Sequence, residues 1–228
     1  MTEKQKTLLI WDFDGVLADS ERLWVDIWYQ SLIDKRNIKL SNDEVEKYLT
    51  GLSEKTKCEY LNIYFNAHID DDFIKEIHQQ QLIKIETELN PMPGIEPIFS
   101  DNSFKHAVAT GTRRSVVDIK LKKIGLWQKY IDFSNCFTSD DVQNGKPAPD
   151  LFLYTAKKMG YLPQNSIVIE DSINGIKAGI ASNMTVLAFI GAKSNNNDHY
   201  ARQCLENGAS HVFKTMPDLH QFLRNSYL

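Results

Sequence analysis

The chain has 228 residues, a formal net charge of −4, 42% hydrophobic residues and 25% charged residues. This composition is typical of a globular protein, and it excludes a collagen-like, coiled-coil or wholly disordered chain. The length is enough for one full core with an inserted subdomain, at about 150 residues per domain. The mild acidity argues against a nucleic-acid partner, because binding to phosphate backbones needs clustered lysine and arginine.

Membrane insertion and secretion are not expected. No apolar run approaches the ~20 residues that span a bilayer, and the longest is Val186–Ile190. The N-terminal stretch lacks the pattern of a signal peptide. The three cysteines, Cys58, Cys136 and Cys204, have neither disulfide-framework nor zinc-site spacing. We therefore expect a cytoplasmic protein without a membrane partner. A monomer is expected as well.

Short apolar runs rich in Val and Ile recur along the chain and predict buried parallel strands. These runs are Thr7–Trp11, His106–Ala109, Asn135–Thr138, Ser166–Ile169, Thr185–Phe189 and, more weakly, His211–Phe213. Helical stretches are predicted between them at Ser115–Ile124, Pro149–Met159 and Ile173–Ala181. Alternating strands and helices predict βαβ units, and therefore an α/β fold whose parallel sheet is covered by helices on both faces. A loop is predicted at Lys193–Asn197.

The region from Ser20 to Leu89 interrupts this alternation, because it contains no convincing strand. Ser41 and Glu44 have the spacing of a capping box at the start of a helix. The helical stretches predicted here are Ser20–Ile33, the stretch after Ser41, Glu54–Phe65 and Asp72–Leu89. The simplest interpretation is a helical insertion after the first strand, and the alternative is that these helices cover the sheet.

Two carboxylates, Asp12 and Asp14, follow the first predicted strand. Ligands of open parallel sheets bind at the carboxyl ends of the strands, so both side chains are expected at one polar, solvent-facing site. A divalent cation would relieve their mutual repulsion, and Gly15 allows a tight turn. Taken alone, the pair is also typical of a solvated turn.

Two further polar groups follow the same logic. Thr110–Thr112, which includes Gly111, comes directly after the second predicted strand, where a hydroxyl and backbone N–H groups could bind an anion. The alternative is an ordinary turn before a helix. Lys146 lies on a loop between a glycine and a proline, where it could place a positive charge near the carboxylates, although it could also be a surface lysine.

A second acidic pair, Glu170 and Asp171, follows the fourth predicted strand and supplies the oxygen ligands that Mg²⁺ prefers. Asp171 could instead cap the following helix. Together these groups supply a nucleophile, a second carboxylate, a hydroxyl, a cation and a metal site. That combination suits phosphoryl transfer, which needs positioning and charge neutralisation.

The same residues resemble the four motifs of the haloacid dehalogenase superfamily. The first motif is Asp12–Ser20 (DFDGVLADS), the second Thr110, the third Lys146 in GKPAPD, and the fourth Ile169–Ser172 (IEDS). The order and spacing are most similar to the branch of β-phosphoglucomutase-like phosphatases and mutases. The resemblance implies a Rossmann-like core at residues 1–18 and 91–228, with a helical cap at residues 19–90.

The resemblance also implies a role for each motif residue. Asp12 would be the nucleophile that forms an aspartyl-phosphate, and Asp14 would protonate the leaving oxygen and then activate water. Mg²⁺ would be held by Asp12, the backbone carbonyl of Asp14 and Asp171, with Glu170 in the outer shell. The phosphate would be bound by Thr110, Gly111, Thr112 and Lys146.

The expected activity is Mg²⁺-dependent hydrolysis of a small phosphorylated metabolite, such as a sugar phosphate. Asp14 favours phosphate esters, since dehalogenases and phosphonate-cleaving relatives differ at this position. A hexose-phosphate mutase is the main alternative, but Trp24 stands about where mutases carry a histidine. Tyr48–Ser53 resembles the loop that carries specificity residues in relatives. A phospho-accepting receiver-like signalling module is a remote alternative, because receivers are shorter and lack the insertion.

Overall fold

The computed structural model describes residues 6–50, 52, 54–192 and 196–228. The chain divides into two compact units. The larger unit comprises the residues up to Asp19 together with Asn90–Leu228, and the smaller unit is Ser20–Leu89. Among the described residues, no helix combines the length and the apolar character needed to cross a membrane.

The smaller unit is helical over its described residues. Its helices are α1 (Glu21–Arg36), α2 (Asn42–Tyr48), α3 (Glu54–Phe65) and α4 (Asp71–Glu88). The capping box predicted before α2 is confirmed, since Ser41 Oγ accepts from the Glu44 N–H and Glu44 Oε2 accepts from the Ser41 N–H at 2.8 Å. Trp28 and Leu61 are buried in the core of this unit, and Trp24 is partly buried against it.

The larger unit contains a parallel sheet, as the alternation of apolar runs predicts. Its strands are β1 (Thr7–Trp11), β2 (Phe104–Thr110), β3 (Cys136–Thr138), β4 (Ser166–Glu170), β5 (Thr185–Phe189) and β6 (His211–Phe213). Their order is β3-β2-β1-β4-β5-β6, and neighbouring strands pair in parallel. The predicted Rossmann-like arrangement is therefore confirmed.

Helices cover both faces of this sheet. They are α5 (Ile95–Phe99), α6 (Arg114–Lys123), α7 (Asp150–Met159), α8 (Ile173–Ala181), α9 (Asp198–Glu206) and α10 (Met216–Tyr227). Successive side chains of β1 point to opposite faces. Leu8 and Ile10 pack into one core, whereas the Trp11 ring lies 5.3 Å from that of Phe99, which belongs to α5.

The sequence analysis missed α5, α9 and α10. The short α5 contains Pro97, which obscures a helical pattern. The start of α10 carried a readable signal, because Thr215 accepts a hydrogen bond from the Asp218 N–H and Pro217 occupies the first turn. The loop predicted at Lys193–Asn197 falls largely outside the described residues, since 193–195 are not among them.

Candidate active site

The carboxyl ends of β1, β2 and β4 meet at one edge of the sheet. In the register of the sheet, Trp11 lies opposite Val108 of β2 and Ile169 of β4. The next residue, Asp12, donates its N–H to the Ile169 carbonyl at 2.9 Å. The strand ends therefore place the first acidic pair beside the second, although the two are far apart in sequence.

Lys146 joins these acidic groups. Its Nζ donates to Asp12 Oδ1 at 2.5 Å, to Glu170 Oε1 at 2.7 Å and to the Ala109 carbonyl at 3.1 Å. The Asp12 residue is only 7% exposed and Glu170 only 1%, so this ion triad is buried. The expectation of a solvent-facing Asp12 is wrong, because the surrounding strand ends and the lysine enclose the carboxylate.

Burial and neighbouring charges shift the pKa values of Asp12 and Lys146. Burial raises the pKa of the Asp12 carboxyl to about 7, because the attraction of Lys146 is outweighed by the loss of water and by repulsion from Glu170 and Asp14. Burial alone would lower the pKa of Lys146, but Asp12 and Glu170 raise it above the ordinary lysine value. Lys146 is therefore protonated, and this one ammonium group faces two carboxyl groups, Asp12 and Glu170.

Glu170 is held in a fixed orientation. Besides the contact with Lys146, its Oε2 accepts from the Ser172 N–H at 2.7 Å and from Ser172 Oγ at 3.0 Å. A Cβ at Gly175 would lie 1.7 Å from Glu170 Oε1, so only glycine leaves room for this carboxylate. Because both of its oxygens are engaged, Glu170 is suited to orienting Lys146.

Three buried carboxylates form a group that could hold a metal ion. Asp12, Glu170 and Asp171 each offer an oxygen, and these atoms lie within 4.8 Å of one another. Gly15 provides a cradle for this group, because a Cβ there would lie 1.9 Å from Asp171 Oδ2. Carboxylate oxygens in a buried, negatively charged group suit a hard divalent cation. The residues present therefore fit a metal site of this class.

Asp14 lies beside the loop that follows β2. Its Oδ2 accepts from the Thr112 hydroxyl at 2.7 Å, and its Oδ1 accepts from Lys120 Nζ at 2.6 Å. The Asp14 side chain is 31% exposed, so unlike Asp12 it retains contact with solvent. This carboxylate is thus held by two donors while remaining accessible for proton exchange.

The predicted anion-binding loop is partly occupied by its own hydrogen bonds. The Thr112 N–H donates to Thr110 Oγ1 at 3.1 Å, and Thr110 is buried. Thr112 therefore uses both its amide and its hydroxyl within the protein. Gly111 is exposed, and a Cβ there would meet nothing within 4 Å, so space alone does not demand glycine. The phosphate-binding roles of these three residues stay predictions.

The comparison with known protein families agrees with this geometry. The family model described as haloacid dehalogenase-like hydrolase matches residues 9–189, a span that runs from β1 through β5. The chain belongs to the haloacid dehalogenase-like hydrolases. The predicted superfamily and the assignment to the hydrolase class are therefore confirmed.

Relatives of this hydrolase cover nearly the whole chain. The phosphorylated carbohydrates phosphatase of Thermotoga maritima is 28% identical over 213 residues, which is 90% of this chain and 93% of the relative. A conserved haloacid dehalogenase-like protein of unknown function from Agrobacterium tumefaciens has a TM-score of 0.83 at 24% identity, covering 97% and 99% of the two chains. A β-phosphoglucomutase-like protein of Thermotoga maritima has a TM-score of 0.80 at 24% identity, covering 96% and 99%.

Sequence reasoning missed one polar residue of this hydrolase, Lys120. A signal for it was present, because Lys120 continues the apolar stripe of Val117, Leu121 and Ile124 at helical spacing. All four residues are buried. A lysine on the buried face of an amphipathic helix is rare unless it is paired. Its partner could not be read from the sequence, since Asp14 is 106 positions away.

The specificity loop predicted at Tyr48–Ser53 is described only in part. Tyr48 and Leu49 are buried, and Tyr48 packs among the aromatic rings of Tyr60, Tyr64 and Phe65. Gly51 and Ser53 lie outside the described residues. The role of this loop stays a prediction.

Replacing Gly15 with alanine is expected to disrupt the candidate metal site formed by Asp12, Glu170 and Asp171. The new Cβ would collide with Asp171 Oδ2, and the backbone φ of +80° is unfavourable for alanine by about 1–2 kcal/mol. We expect Gly15→Ala to weaken binding of a divalent cation at least about 10-fold, since Asp171 must move. The affinity is measured by recording the thermal unfolding temperature at increasing concentrations of the cation.

The matched control is Gly111→Ala on the neighbouring loop, where a Cβ meets nothing within 4 Å. This variant should keep the unfolding free energy within about 0.5 kcal/mol and leave cation binding unchanged. Equal cation binding by the Gly15→Ala variant and the wild type would contradict the placement of Asp171 in the site.

Proposed function

We propose that the protein is a Mg²⁺-dependent phosphatase that hydrolyses a small phosphorylated metabolite, such as a sugar phosphate, through an aspartyl-phosphate. The observation that carries this proposal is the buried Asp12 carboxylate, joined to Lys146 at 2.5 Å and grouped with Glu170 and Asp171 at one edge of the sheet. The similarity to a phosphatase of phosphorylated carbohydrates supports the substrate class.

Asp12 is suited to attack phosphorus. Its carboxylate lies in a site that excludes most water, where electrostatic interactions are stronger than in solution. Lys146 compensates the negative charge of Asp12 and would also face the charge of an incoming phosphoryl group. In the first step the P–O bond to the leaving alcohol breaks, and a bond from Asp12 to phosphorus forms.

Asp14 is suited to move protons in both steps. It is two residues from Asp12, its side chain is partly exposed, and Thr112 holds one of its oxygens. When protonated, it donates its proton to the leaving oxygen. Once ionised, it accepts a proton from the water that cleaves the aspartyl-phosphate, which returns Asp12 to its free form and releases inorganic phosphate.

Mg²⁺ would be held by Asp12, the backbone carbonyl of Asp14 and Asp171. When bound, it would supply the positive charge that this buried acidic group lacks and would neutralise phosphate oxygens. Glu170 would remain in the outer shell, because its oxygens are occupied by Lys146 and Ser172. The phosphate would contact Lys146 and the Thr110–Thr112 loop.

The test is phosphate release from a panel of phosphorylated metabolites with and without Mg²⁺. We expect turnover of at least one sugar phosphate, a fall of at least about 100-fold in excess chelator, and recovery when Mg²⁺ is restored. Undiminished turnover in chelator would remove the metal from the proposal. If no ester, including 4-nitrophenyl phosphate, released phosphate, the proposed phosphatase activity would be overturned.

The same assay distinguishes the phosphatase from the alternative, a hexose-phosphate mutase. A mutase supplied with a sugar 1-phosphate and a bisphosphate primer would form an isomer in place of free phosphate. Trp24, which stands about where mutase relatives carry a histidine, favours the phosphatase. The match to a hydrolase family likewise favours an enzyme over a receiver-like signalling module.

A further inference from the structure

We propose that Lys120 is a positioning residue that holds the Asp14 carboxylate in place for proton transfer. This inference rests on the proposed function, because it assigns a role to the group that moves protons in it. Lys120 belongs to none of the motifs that identify the family in the sequence. It lies on α6, the helix that follows the predicted anion-binding loop.

The burial of Lys120 calls for a physical reason. Its side chain is 3% exposed, whereas Lys122 and Lys123 on the same helix are exposed. A buried ammonium group destabilises the folded protein unless charged and polar partners compensate for the lost water. Lys120 Nζ meets Asp14 Oδ1 at 2.6 Å and Thr112 Oγ1 at 3.2 Å, and it lies 5.1 Å from the centre of the Phe13 ring.

These contacts form a closed triangle around one carboxylate. Lys120 donates to one oxygen of Asp14, the Thr112 hydroxyl donates to the other, and Lys120 also donates to Thr112. A carboxylate fixed at both oxygens cannot rotate freely about its side-chain torsions. The triangle therefore selects one position of Asp14 relative to the site.

The two lysines of the site contact different carboxylates. Lys146 contacts Asp12 and Glu170, the groups next to the attacked phosphorus. Lys120 contacts Asp14, the group that exchanges protons with the leaving oxygen and with water. Loss of Lys146 should therefore affect every step, whereas loss of Lys120 should affect the steps that need a proton.

The test compares leaving groups in Lys120→Met. The first step needs a proton for an alkyl leaving group, but not for 4-nitrophenolate. We expect kcat/KM to fall about 10- to 100-fold for the sugar phosphate that the wild type hydrolyses best, within the range of general acid catalysis. For 4-nitrophenyl phosphate, kcat/KM should stay within about 3-fold of wild type, while kcat falls because water activation still needs Asp14.

Three further variants make the comparison specific. Lys123→Met removes an exposed lysine from the same helix, and it should leave kcat/KM unchanged for both substrates. Thr112→Val removes a second donor to Asp14, and it should show the same leaving-group dependence of kcat/KM with a smaller loss. This second variant tests the proposal even if Lys120→Met does not fold. Lys120→Arg retains the positive charge and should recover part of the sugar phosphate activity.

Equal losses of kcat/KM for both substrates in Lys120→Met, or unchanged kinetics in it, would overturn the positioning role. A Thr112→Val variant in which the ratio of kcat/KM between the two substrates equals that of the wild type would also overturn the positioning role. A crystal structure of Lys120→Met with Asp14 in its wild-type position would also overturn it, whether or not the enzyme is active. If the wild type hydrolyses neither substrate, the proposed function itself fails. If the wild type is active and Lys120→Met is equally active, only the positioning role of Lys120 fails.

Discussion

Replacing Asp12 with asparagine is expected to lower phosphate release at least about 10⁴-fold, because the amide cannot form the phosphoenzyme. The fold should survive the change. Asp12 is buried, and burial raises the pKa of its carboxyl to about 7, so removing the charge relieves a desolvation cost. Lys146 keeps Glu170 as an ion-pair partner at 2.7 Å. We expect the unfolding free energy to stay within about 2 kcal/mol of wild type.

The measurement pairs steady-state phosphate release with thermal unfolding. A third readout is acid quenching after brief exposure to a ³²P-labelled substrate, which should trap label on the wild type and not on Asp12→Asn. The matched control is Asp198→Asn, which removes an aspartate whose side chain is 89% exposed and should change neither activity nor trapping. Turnover of Asp12→Asn within about tenfold of wild type would exclude Asp12 as the nucleophile.

Replacing Lys146 with methionine is expected to remove activity and also to destabilise the fold. The variant leaves Asp12 and Glu170 buried without their shared cation, and breaking a buried ion pair in this way costs about 3–5 kcal/mol. Turnover should fall at least about 10³-fold, because the negative charge of the attacking and transferred groups is no longer compensated.

Metal binding should partly reverse the loss of stability. Mg²⁺ supplies positive charge to the same acidic group, so it should raise the unfolding free energy of Lys146→Met more than that of the wild type. Urea denaturation with chelator and with excess Mg²⁺ measures both effects. Lys157→Met, an exposed lysine on α7, serves as the control. A Lys146→Met variant as stable as wild type in chelator would show that the triad does not hold the site together.

Local patterns determined much of the fold. The apolar runs at β1 and β5 coincide with the strands, because a buried parallel strand needs a short, continuous apolar segment. The capping box at Ser41 and Glu44 is likewise a local property, since its bonds join residues three positions apart. The starts of α9 and α10 are local properties too, since Asn197 accepts a hydrogen bond from the Tyr200 N–H and Thr215 accepts one from the Asp218 N–H.

The amino-acid sequence by itself determined that acidic, hydroxyl and basic groups follow successive strands of a parallel sheet, because such strands end at a common edge. Only the tertiary structure decided how these groups share partners. Lys146 and Asp12 are 134 positions apart and Lys120 and Asp14 are 106 apart, so no local pattern could pair them. The burial of Asp12 is also a tertiary property, because it depends on which strand ends and loops close around the carboxylate.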